Sequence, residues 1–171
     1  MADTHQTLRC PACGKEMKKI FIPSQGVNID ICTDGCGGIF FDNREFKMFD
    51  EKHEDIEDII KAVENKEFTS VDESLPRYCP ACGAKMVKNY ASVRKEVQID
   101  ECYSCGGKFL DHGELTKIRS QYETELERSN DFMKCVYDEI GGEIKAVEAA
   151  SEKAQRNKSL LRKLFDNLIL G

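Results

Sequence analysis

Eight of the nine cysteines in this 171-residue chain fall into four close pairs: Cys10 and Cys13, Cys32 and Cys36, Cys79 and Cys82, Cys102 and Cys105. Between the first pair and the second lie 18 residues, and between the third and the fourth lie 19. A Cys-x2-Cys pair answered by a second pair after such a gap is the spacing of a zinc site. The reason is geometric. Zn²⁺ takes four thiolates tetrahedrally at ~2.3 Å, and a tight turn lets two cysteines two or three apart share one ion. An intervening hairpin then brings the second pair back to the first. The spacing predicts two zinc ions per chain in structural sites. Four cysteines fill the coordination sphere, whereas a catalytic zinc keeps one position for water or substrate, so no enzymatic activity is expected. Tetrahedral sulfur also suits iron, which keeps a rubredoxin-like electron carrier as an alternative.

Glycines follow directly on a cysteine at Gly14, Gly37, Gly83 and Gly106. Their backbone freedom lets amides approach thiolate sulfurs. Disulfides are the competing use of paired cysteines. The polar opening, residues 1–9, offers no apolar core of an export signal, so a reducing, cytoplasmic setting with metal-bound thiolates is expected. Apolar residues make up 40% of the chain and charged residues 33%, and no run is long and apolar enough to span a membrane. The formal charge is −6, and eight ionised thiols outweigh two Zn²⁺ to make it more negative. An acidic chain lacks the electrostatic contribution that supplies most non-specific nucleic-acid affinity.

The elements that must position the cysteines come as an internal repeat. Cys10-Pro11-Ala12-Cys13-Gly14 is answered by Cys79-Pro80-Ala81-Cys82-Gly83, and Ile29-Asp30-Ile31-Cys32 by Ile99-Asp100-Glu101-Cys102. Cys36-Gly37-Gly38-Ile39-Phe40-Phe41-Asp42 is answered by Cys105-Gly106-Gly107-Lys108-Phe109-Leu110-Asp111, and Glu45 by Glu114. Alternating segments at 18–21 and 27–31, and at 86–90 and 96–100, read as hairpins. Short third strands follow at 38–41 and 107–110. The expected fold is α+β: two tandem three-stranded zinc ribbons, each followed by a helix, plus a C-terminal helical hairpin. The boundaries are 1–66 for the first ribbon and helix, 67–77 for a linker, 78–140 for the second ribbon and helix, and 141–171 for a last amphipathic helix.

The pattern Cys-Pro-x-Cys-Gly, Ile-Asp-x-Cys, Cys-Gly-Gly-x-Phe-x-Asp-x-x-Glu resembles the transcription-factor-IIB-type zinc-finger family over roughly 8–49 and 77–118. The resemblance implies zinc ribbons with Cys10, Cys13, Cys32 and Cys36 in one site and Cys79, Cys82, Cys102 and Cys105 in the other. Two departures stand out. Three residues rather than two separate Cys32 from Cys36, and Phe40 and Phe109 stand where the family often has Trp. The family name records ribbon similarity and does not by itself assign a role in transcription.

Other residues invite a functional reading that local structure explains better. Asp42 with Glu45, and Asp111 with Glu114, have the spacing of a helix cap and of an acid reaching back to the cap amide, rather than of paired catalytic acids. His112 reads as an exposed first-turn residue, and Cys135 as a half-buried helical thiol. An apolar stripe from Phe46 to Val63 predicts a helix packed on the first ribbon. A second stripe from Leu115 to Ile140 predicts another, with a break near 129–131. Gly141-Gly142 is expected to break the chain before the last helix, which runs from about 143 towards 170. Its heptad positions Ile144, Val147, Ser151, Ala154, Lys158, Leu161, Phe165 and Leu168 suit helix pairing as in a coiled coil, and Leu160, Leu164, Ile169 and Leu170 add to its apolar end. Lys153, Arg156, Lys158, Arg162 and Lys163 make it locally basic. The expected function is a non-catalytic, zinc-stabilised binding or scaffold module. It would meet a protein partner or itself through the helices. A nucleic-acid-associated regulator is the alternative, disfavoured by net charge.

Overall fold

A computed structural model describes residues 7–169 of the chain, and side chains as far as Leu160. The chain divides into two compact units, one reaching to Arg128 and the other starting at Ser129. In the first unit each repeat supplies three antiparallel strands. These are β1 (Lys18–Ile22), β2 (Val27–Ile31) and β3 (Ile39–Phe41), then β4 (Val87–Tyr90), β5 (Gln98–Glu101) and β6 (Lys108–Leu110). The first hairpin turns at Gly26, whose φ of 69° is the left-handed conformation that glycine adopts freely.

The α+β class and the three strands per ribbon are as expected, but the ribbons do not stand apart. All six strands form one sheet in the order β1-β2-β3-β6-β5-β4. The seam is β3 against β6, with Ile39 opposite Leu110, Phe40 opposite Phe109 and Phe41 opposite Lys108. Each third strand would be an open edge in an isolated ribbon, and pairing the two satisfies both edges at once. Alternation along the strands sorts the side chains to two faces. Ile29, Ile31, Ile39, Phe41, Ile99 and Leu110 pack on one face with Phe46, Phe49, Ile59, Leu115 and Ile118 from the segments that follow each ribbon. Phe40, Phe109, Met17, Met86 and Leu8 pack on the other with the cysteines. Each large apolar side chain so buried contributes about 1.5–3 kcal/mol.

The helices directly after the ribbons are shorter than the stripes predict. The segment after the first ribbon is a single 3-10 turn (Glu45–Met48), a loop, and then α1 (Glu57–Val63). Tertiary hydrogen bonds compete with helical ones in that loop: Arg119 donates to the carbonyls of Phe49 at 2.7 Å, Lys52 at 3.0 Å and Glu54 at 2.7 Å. Asp50 is buried against Arg128, whose Nη1 lies 2.6 Å from its Oδ2. After the second ribbon, α2 (Glu114–Ser120) ends before a turn, and α3 (Glu125–Ile169) begins. The break therefore falls at 121–124 rather than at 129–131. Tyr122 is buried there beneath the Arg94 guanidinium, 4.1 Å from its ring centroid, and Arg94 also donates to the Gln121 carbonyl.

In the second unit the expected break at Gly141-Gly142, and with it the C-terminal helical hairpin, is replaced by an uninterrupted helix. Neither glycine adopts the left-handed φ that ends helices, and nothing lies within 4 Å of where their Cβ atoms would be. A helix-interior glycine costs only about 1 kcal/mol relative to alanine. Two of them do not outweigh the backbone ladder on both sides. Among the described residues no helix is long and apolar enough to cross a membrane. The side chains of Leu161, Arg162, Lys163, Leu164, Phe165, Leu168, Ile169 and Leu170, which figured in the expected pairing and basic faces, lie outside those described.

Candidate metal centres

Two knuckles and a hairpin build each site. Cys10 and Cys13 sit in the turn before β1, and Cys32 and Cys36 in the turn between β2 and β3. Cys79, Cys82, Cys102 and Cys105 hold the same places around β4, β5 and β6. The predicted glycines do what was expected of them: Gly14, Gly37, Gly83 and Gly106 adopt φ of 75°, 74°, 75° and 81°. Each knuckle closes with a backbone bond, as from Gly14 N–H to the Cys10 carbonyl at 2.9 Å and Gly83 N–H to the Cys79 carbonyl at 2.8 Å. The turns leave amides aimed at sulfur: Ala12 and Cys13 at Cys10, Gly38 at Cys36, Ala84 at Cys82 and Gly107 at Cys105. Such donors stabilise thiolates.

The structure brings all eight predicted ligands together in two groups of four. Within each group every Sγ lies within 4.8 Å of the others. Cys10–Cys36 and Cys13–Cys32 are 3.4 Å apart, and Cys79–Cys105 and Cys82–Cys102 are 3.5 Å apart. These separations are far longer than the ~2.0 Å of a disulfide. They approach the ~3.8 Å edge of a tetrahedron whose centre is ~2.3 Å from each sulfur. None of the nine cysteines is joined in a disulfide. The donor set and its spacing fit two zinc ions.

The thiols titrate unequally because they share protons and differ in burial. A hydrogen bond from Cys10 holds the Cys36 thiol well below its usual range, and the same contact raises Cys10. Burial pushes Cys32 up to about 11. The Ala84 amide brings Cys82 down to about 7. Metal binding replaces those shared protons, so loading releases protons into solution.

The sites differ in their cover. At the first, Cys10, Cys32 and Cys36 are buried; at the second, Cys82 is exposed and Cys105 half-buried. Residues 68 and 69 lie against the first knuckle. Thr69 N–H donates to the Gly35 carbonyl at 2.9 Å, Phe68 stacks on His112 at 4.5 Å between centroids, and Val71 packs beside the cysteines. This segment carries no helix or strand, yet it is pinned to the first knuckle. The additional residue of that knuckle also has its explanation. A Cβ on Gly35 would lie 2.6 Å from Cys32 Sγ and 2.8 Å from Cys13 Sγ. The longer loop is accommodated by a glycine pressed against two ligands.

The two acid pairs form half of a capping box. Glu45 Oε2 accepts from Asp42 N–H at 2.8 Å and Glu114 Oε2 from Asp111 N–H at 2.7 Å, while the N-cap positions are Arg44 and Gly113, neither with a side-chain cap bond. Asp111 faces Arg77, 2.9 Å from its Nη2. Arg77 is buried, donates to Asp100 at 2.7 Å and lies over the Phe109 ring at 5.1 Å. Sequence reasoning missed Arg77 and Phe68, which sit in a polar stretch without periodicity. The signal for Arg77 was indirect: Asp100 and Asp111 match Asp30 and Asp42 of the first repeat, and buried acids need a cation. His112, expected on an exposed first turn, is exposed but also meets Phe68 and Gly37. Cys135 is half-buried on its helix, with Glu139 Oε1 3.9 Å away.

Geometry and donor set together define a tandem zinc-ribbon protein. The model of a family described as transcription factor zinc-finger matches residues 9–48 and 78–121, and those two segments are tandem ribbons of that family. No curated protein and no solved structure matches the chain.

Proposed function

We propose that this protein is a non-catalytic binding module of the cytoplasm, in which two structural zincs hold one rigid sheet and the long helix engages a partner. One observation carries the reading: each group offers four thiol sulfurs within 4.8 Å of one another. Four thiolates complete a tetrahedral sphere and give each site a net charge of −2. This makes the bound metal a poor Lewis acid and leaves no position for a substrate. The thiolate ligands require a reducing setting, which supports the location. The exposed apolar residues Met133, Tyr137, Ile140, Ile144 and Val147 on α3 support a binding role for the helix.

Cobalt substitution tests the closed sites. The expected result is two Co²⁺ per chain, with tetrahedral thiolate spectra that do not change on adding azide or cyanide. A spectrum that shifts with added anion, or metal-dependent turnover of ester or phosphoester substrates, would overturn the non-catalytic reading.

A further inference from the structure

We propose that the partner of α3 is a second copy of this chain, paired antiparallel along residues 137–168; this rests on the reading of the helix as the binding element. The backbone runs without a break through Gly141-Gly142, so the segment does not fold back on itself there. Its stripe is left in the open: Tyr137 is 64% exposed, Ile140 and Ile144 each 44%, and Val147 69%. Helices in proteins owe most of their stability to the packing of such a face, and this one also carries two interior glycines.

The stripe repeats every three and four residues, as a two-helix seam requires: Tyr137, Ile140, Ile144, Val147, Ser151, Ala154 and Lys158. The same spacing continues to positions 161, 165 and 168, which the sequence fills with Leu, Phe and Leu. The seam is therefore strong at both ends and weak in the middle. Antiparallel pairing centred between 152 and 153 sets each strong end against the other. Position 137 meets 168, 140 meets 165, and 144 meets 161. Val147 then faces Lys158, whose stem can cover it while the ammonium reaches water. Ser151 faces Ala154, a small pair that lets the helices approach. The overlap is about 48 Å long at 1.5 Å per residue.

Charge selects the second copy and its direction. Asp138, Glu139, Glu143, Glu148 and Glu152 make the first half acidic, relieved only by Lys145. Lys153, Arg156, Lys158, Arg162 and Lys163 make the second half basic, relieved only by Asp166. Antiparallel pairing lays the acidic half of each helix along the basic half of the other, with Glu143 opposite Arg162 and Glu152 opposite Lys153, and with Glu139 opposite Asp166 as the one like-charged pair. A parallel pair in register would set Glu143 against Glu148 of the other helix and Lys158 against its own counterpart. Nucleic acid or an anionic membrane would satisfy the basic half alone and leave the apolar stripe in the acidic half uncovered.

Light scattering of the zinc-loaded full chain is expected to give a dimer. Ile144→Asp should convert it to a monomer that still holds two zincs, which separates loss of pairing from loss of folding. Reversing the acidic half (Glu143→Lys, Glu148→Lys, Glu152→Lys) should weaken the dimer at least tenfold. Adding Lys153→Glu, Arg156→Glu and Lys158→Glu should restore it. Cys135 reports the direction, because zinc protects the other eight thiols. Spin labels on it should lie about 50 Å apart in the antiparallel pair, 35 residues of axial offset, against roughly 10–15 Å in a parallel one. A monomeric parent, a dimer that survives Ile144→Asp, or a short label distance would each overturn the proposal. A monomer would leave the closed-site reading to its cobalt test.

Discussion

The seam between the ribbons depends on two glycines whose place is taken by the other ribbon's phenylalanine. A Cβ on Gly38 would lie 2.3 Å from Phe109 Cζ and 2.9 Å from its Cε2; one on Gly107 would lie 2.5 Å from Phe40 Cζ. Neither ring can retreat, since Phe40 is 1% and Phe109 0% exposed. Gly38→Ala must therefore shift β3 relative to β6 or force Phe109 from its rotamer. Overpacking of this kind costs about 1–3 kcal/mol, and the short contact puts Gly38→Ala near the upper end. Gly83→Ala is the control for conformation without crowding. Its φ of 75° strains any side chain, but nothing lies within 4 Å, so it should cost only about 1–2 kcal/mol. Adding Phe109→Leu to Gly38→Ala relieves the clash at the expense of apolar contact. The double variant should then be more stable than the sum of the two single effects by at least about 1 kcal/mol. Urea titration of zinc-saturated protein, followed by circular dichroism, measures all of these. If Gly38→Ala lies within about 0.5 kcal/mol of the parent, or the two changes simply add, the ring-over-glycine seam is not what holds the ribbons together.

Two further outcomes follow from the site geometry. The second site, with Cys82 exposed, should yield its zinc to a chelator before the first. Phe68→Ala should speed release from the first site by uncovering it, and one uniform release phase would contradict this role for residues 67–77. The third concerns Glu114. Burial raises its carboxyl to about 7, and repulsion from Asp111 and Glu73 adds to the shift against the Asp111 amide. A carboxyl raised on folding contributes stability below its unfolded value, about 4.5, that is lost as pH rises through 7. The full shift corresponds to about 3 kcal/mol, which solvent screening at this half-buried group reduces to about 1–2. Glu114→Gln should accordingly be more stable than the parent by about that amount at pH 8, with the advantage shrinking as pH falls. A difference independent of pH would refute the assignment.

Much of this protein was legible in one dimension because metal ligation is local. Cys-x2-Cys knuckles, their glycines and the hairpin length between them specify a tetrahedral sulfur site with little help from the rest of the chain, and the duplication said that there are two. Strand alternation likewise marked the hairpins at 18–31 and 86–100, which the structure forms as β1–β2 and β4–β5. What local pattern did not contain was any contact between the repeats. The β3–β6 seam, the rings seated on Gly38 and Gly107, and the pinning of residues 67–77 over the first site join positions far apart in sequence. Helix lengths failed for the same reason. Arg119 and Arg94 captured carbonyls that periodicity had assigned to helical bonds, while Gly141-Gly142, with no tertiary contact to exploit the weakness, stayed helical. The sequence by itself determined the two zinc ribbons, because their chemistry is written within about thirty residues each. Only the tertiary structure decided that they share one sheet, since strand pairing depends on which free edges meet in space.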